Sequence, residues 1–60
     1  MSVDSKVRIL VVEDDPNIRD MLHQFLTGEN FDVSAVECAE DAIKSAEQCV
    51  FSMMIFDWEL

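Results

Sequence analysis

Sixty residues with thirteen acidic and four basic side chains, a formal charge of −9, suffice for one small domain. A chain of that length buries only about 60% of the surface it exposes on unfolding. Half the residues are hydrophobic and 28% are charged, which excludes a disordered chain. The acidic excess argues against nucleic acid as a direct partner, because phosphate backbones need clustered Lys and Arg. No apolar run approaches the roughly 20 residues of a membrane span. Residues 1–6 are short and polar and do not read as a signal peptide, so a cytoplasmic chain is expected. Cys38 and Cys49 lack CxxC spacing and a nearby His, and read as reduced thiols.

The first element is a strand over 7–12, β-branched and almost unbroken in its apolarity, as suits a strand covered on both faces. It runs into Glu13-Asp14-Asp15-Pro16. Asp15 is a good helix N-cap, and Pro16 fits the first helical position, where its missing N–H costs nothing. Ile18, Met21, Leu22, Phe25 and Leu26 recur at helical spacing, with Arg19, Asp20, His23, Gln24 and Thr27 opposite. Gly28 is expected to end this helix as a left-handed cap. The segment 31–36 alternates apolar and polar, like a half-exposed edge strand. Ala39, Ala42, Ile43 and Ala46, with Cys49 at its end, form the apolar stripe of a second helix, small enough to approach a sheet closely. A last apolar run over 51–56 ends at Asp57-Trp58-Glu59-Leu60.

The order β-α-β-α-β with short connections points to a parallel sheet with right-handed crossovers. Two buried-type strands and one alternating strand are satisfied by the order 2-1-3. Both buried-type strands then end side by side in carboxylates, Glu13 and Asp14 after the first and Asp57 after the third. In open α/β sheets ligands bind outside the carboxyl ends of strands, where the winding direction reverses. Carboxylates gathered there repel unless a cation or protons relieve them. A hard divalent ion fits, and Mg²⁺ takes one or two carboxylates with waters and a phosphate oxygen. The plainer reading, acidic residues complementing a helix dipole, covers Asp15 but not the apolar strand that delivers Asp57 to the same edge.

The run V-R-I-L-V-V-E-D-D-P-N-I-R, a Gly-terminated helix and M-M-I-F-D-W-E-L together resemble the N-terminal half of a bacterial two-component response-regulator receiver domain. The resemblance covers residues 6–60. It implies a flavodoxin-like fold, with 1–60 a single truncated domain, and a phosphorelay module rather than an enzyme in its own right. Asp57 matches the phosphoacceptor and Asp14 the direct Mg²⁺ ligand. Glu13 matches the acidic neighbour that reaches the ion through water, and Glu59 the residue whose backbone carbonyl completes the coordination. The implied partner is a sensor histidine kinase or phosphotransfer protein, whose phosphohistidine the Asp57 carboxylate attacks to give an acyl phosphate. Ala39 stands where the family often has Gly. The family continues with a Pro, a fourth strand ending in Thr or Ser and a fifth ending in Lys; these lie beyond Leu60, so switching is not assumed.

Other residues invite other readings. His23 on a polar helix face, without an acidic pocket, reads as a solvated surface His rather than a phosphohistidine. Trp58 suits either a shield for an acyl phosphate or a packing anchor. Met53, Met54 and the four Phe read as core. A haloacid-dehalogenase-type phosphohydrolase would also place an Asp after an apolar strand, but it wants a second Asp where this chain has Glu59. A non-catalytic assembly unit is the remaining alternative. The third strand, apolar on both faces, carries no charge, Pro or bulge to blunt an open edge. A homodimer pairing that strand antiparallel with its copy, in the order 2-1-3-3′-1′-2′, is therefore expected.

Overall fold

The structure, a computed structural model, describes residues 6–56. The elements follow the expected order: β1 Arg8–Val12, α1 Pro16–Gly28, β2 Asp32–Val36, α2 Ala39–Gln48 and β3 Met53–Phe56. The strands form one parallel sheet in the order β2-β1-β3. The strand order and the parallel pairing are those of the flavodoxin-like half-fold expected from the sequence.

β1 is central, and its apolar run is buried from Ile9 to Val12. Successive side chains of a strand point to opposite faces. Leu10 and Val12 pack with Ala42 of α2, bordered by Val36 and Phe51. Ile9 and Val11 point to the other face. Both helices pack on β1 and β2, and neither packs on β3. That arrangement explains where the core expectations fail. β3 has the composition of a buried strand, yet Met53, Met54 and Phe56 are exposed because no helix covers them. Ile43 on α2 is exposed as well, at the open side of the helix that faces Met54 and Phe56 across a groove. On α1, Ile18, Leu22 and Leu26 are half-buried, whereas Met21 and Phe25 are 60% and 63% exposed. The helical stripe is wider than the part of the sheet beneath it.

The start of α1 is as its sequence specifies. Asp15 is the N-cap, its Oδ1 accepting from the amides of Asn17 (2.9 Å) and Ile18 (3.5 Å), and Pro16 opens the helix. The end differs from expectation. Gly28 stays helical, and the left-handed residue is Asn30, with φ of 72°. The amide of Phe31 donates to the carbonyl of Leu26 and that of Asn30 to the carbonyl of Thr27. This pair of bonds is a Schellman closure two residues later than expected, with Asn, the usual second choice to Gly, in the left-handed position. A Cβ added at Gly28 would meet nothing within 4 Å, so nothing in the structure requires glycine there. The cap of α2 is weaker. Cys38 makes no side-chain cap bond, and Glu40 and Asp41 in the first turn complement the helix dipole instead.

Candidate functional site

The acidic loop starts where β1 ends. Its three carboxylates have three different settings. Glu13 is 1% exposed and is the buried charged side chain of the described core. Full burial is rare for Glu, which sets Glu13 apart from the generic acidic surface. Asp14 is exposed at the tip of the loop. Asp15 is committed to capping α1.

The backbone of this loop is held on several sides. The Glu13 amide donates to the carbonyl of Val36 at 3.0 Å, continuing the β1–β2 contact past the strand. The Asp15 amide donates to Oε1 of Glu13 at 3.4 Å. Nη1 of Arg19 donates to the Glu13 carbonyl at 3.1 Å, while the Arg19 amide donates to the Asp15 carbonyl at 2.8 Å. Sequence reasoning placed Arg19 on an outward polar face and missed this contact. The available signal was its place in the first turn of α1, since helical side chains lean back toward the N-terminus.

β3 ends beside β1 at the same edge of the sheet. Val12 of β1 is the register partner of Phe56 of β3. Glu13 follows the first of these in the chain and Asp57 follows the second. Asp57 and Glu59 themselves lie outside the described residues, as does Trp58. Among the described residues no group of three or more His, Cys, Asp or Glu is arranged to hold a metal ion. The donors that are described, the carboxylates of Glu13 and Asp14, are hard oxygen ligands of the kind Mg²⁺ takes. They fit as part of such a site and need further oxygens to complete it.

His23 is a partly exposed surface side chain in a shallow cleft with Asp20 and Ala35. Cys38 and Cys49 are both free and exposed. No helix among the described residues is long and apolar enough to cross a membrane.

Comparison with curated proteins and with solved structures gives no match. The family model for the response regulator receiver domain matches residues 9–60, from the first buried residue of β1 through the last residue of the chain. With the acidic loop, the parallel 2-1-3 sheet and this match over most of its length, the chain belongs to the response regulator receiver domain family of two-component systems.

Proposed function

We propose that the chain is a phosphoacceptor in which Asp57 takes a phosphoryl group from the phosphohistidine of a sensor histidine kinase or phosphotransfer protein. Glu13, Asp14, Asp57 and the backbone carbonyl of Glu59 hold Mg²⁺ in this reading. Receiver domains generally bind Mg²⁺ and work with such partners. The observation that carries the assignment is the pairing of Val12 with Phe56, because it sets the residues preceding Glu13 and Asp57 side by side. In the transfer, a carboxylate oxygen of Asp57 bonds to phosphorus as the P–N bond breaks. The imidazole nitrogen keeps the electron pair and takes up a proton, and an acyl phosphate remains. A bound divalent ion supplies charge neutralisation at the phosphoryl oxygens. Glu13 and Asp14 contribute fixed negative charge that attracts the ion. The chain is thus a substrate of phosphoryl transfer rather than a turnover enzyme, and its expected place is the cytoplasm.

The test is metal binding. Mg²⁺ is expected to quench the fluorescence of Trp58, the neighbour of Asp57 in the chain. Asp14→Asn and Asp57→Asn are each expected to abolish that response, since either change leaves too few charged ligands for a weakly held hard cation. Unchanged quenching in either variant would refute the site.

The sixty-residue chain also pairs with a second copy through β3 in this reading. Among the described residues β3 has a strand neighbour on one side only, and Met53, Met54 and Phe56 are exposed along it. A groove of about 290 Å³ lined by Ala39, Ala42, Ile43, Ala46, Met54 and Phe56 adjoins that edge. Edges of this kind template strand pairing, and a two-fold contact makes the paired strands antiparallel. The charge of −9 on each copy opposes association, so salt and Mg²⁺ should both tighten it. Sedimentation at micromolar concentration is expected to give a dimer. A folded monomer whose mass is indifferent to salt and Mg²⁺ would rule this contact out.

A further inference from the structure

We infer that Arg19 is a positioning residue for the acidic loop: its guanidinium holds the Glu13 carbonyl and so fixes the backbone that presents Glu13 and Asp14. The inference rests on the assignment of those two carboxylates to a Mg²⁺ site. Arg19 Nη1 donates to the Glu13 carbonyl at 3.1 Å across six residues of chain, joining the first turn of α1 to the end of β1. Val36 accepts from the Glu13 amide on the other side of the same residue. The peptide groups flanking Glu13 are therefore tied to two different elements, β2 by the amide and α1 by the carbonyl. Asp14 follows immediately, exposed and without a cap to make, so its direction is set by the peptide that Arg19 holds.

Two effects of Arg19 oppose each other, and that opposition makes the inference testable. Its positive charge beside an acidic loop disfavours a cation, so loss of the charge alone would tighten Mg²⁺ binding. Its hydrogen bond preorganises the ligands, so loss of the bond weakens binding. Removing a group that orients metal ligands typically costs about tenfold or more in affinity. The loss of the bond is expected to outweigh the loss of the charge, because Arg19 is only half-buried and its charge is partly screened by solvent.

In the full sixty-residue chain, Arg19→Met keeps the stem of the side chain and removes both charge and donors. Titration of Trp58 fluorescence is expected to show Mg²⁺ binding weakened about tenfold. Arg19→Lys, which restores a donor and the charge, should recover most of the loss. Hydrogen exchange on the metal-free chain provides a reading that does not depend on Mg²⁺. The amides of Glu13 and Asp15 are expected to exchange faster in Arg19→Met, with β1 and β2 amides unchanged. Equal or tighter Mg²⁺ binding in Arg19→Met, or exchange that rises uniformly or not at all, overturns the positioning role. Absence of a Mg²⁺ response in the wild type, with Asp14→Asn indistinguishable from it, overturns the metal site instead; localised exchange at Glu13 and Asp15 then still decides the role of Arg19 in holding the loop.

Discussion

Asp57→Asn is expected to take up no phosphate from acetyl phosphate and Mg²⁺, whereas the wild-type chain is expected to become labelled. The amide that replaces the carboxylate is close in size but lacks its anionic oxygen nucleophile. Chemical lability identifies the linkage. Transfer to Asp57 breaks the P–O bond to acetate and forms a mixed anhydride, which base and hydroxylamine cleave. Transfer to His23 would give a phosphoramidate, stable in base and lost in acid. Nearby carboxylates provide the necessary controls. Asp15 is engaged as the cap of α1, and Asp15→Asn preserves a capping side chain, so that variant should fold and keep its label. His23 is half-buried in a cleft with α1 and β2 residues and is not part of the β1–β3 edge, and His23→Gln should also keep the label. Base-labile label that survives Asp57→Asn would move the chemistry to another carboxylate, with Asp14 the first to examine because it is exposed on the loop.

How far these features could be read from the residues depended on what kind of physics specified each one. β1 was legible because an unbroken β-branched run has only one comfortable place, the middle of a covered sheet. The order of strands followed from it, since Asp32 to Val36 alternates and is confined to an edge. Asp15 and Pro16 were legible as a helix start because cap chemistry is local. The end of the same helix was misread because Gly is the default left-handed residue, while here Asn30 takes that conformation and the helix runs through Gly28. Hydrophobic pattern also overstated burial. It reports what a side chain prefers to touch, and Met21, Phe25, Ile43, Met53, Met54 and Phe56 stay exposed among the described residues. The candidate site divided in the same way. Glu13 and Asp14 could be singled out as candidates from their place after a strand that is indeed buried. The role of Arg19 was hidden because a helical wheel projects side chains radially, while a real side chain in a first turn leans back over the preceding loop.

Leu10→Ala is expected to remove a large share of the stability of the chain. Leu10 is 0% exposed at the centre of β1 and packs with Val12 and Ala42, with Val36 and Phe51 alongside. Truncating a buried Leu to Ala costs about 2–5 kcal/mol, the range reflecting how far the surroundings collapse into the space. Collapse is restricted here because β1 is paired on both edges, to β2 and to β3, and cannot shift without breaking a ladder. The loss should therefore sit toward the upper part of that range. Total stability for a domain of this size is about 3–9 kcal/mol, so one side chain removes much of it. Phe25→Ala is the informative comparison. Both residues fall on apolar stripes of the sequence, but Phe25 is 63% exposed and loses little buried surface on truncation. Its substitution should cost well under half as much as that of Leu10. Denaturant unfolding followed by circular dichroism measures both. Equal losses would mean that Phe25 is covered in solution by a surface other than β1 and β2, and a small loss at Leu10 would contradict its place at the centre of the core.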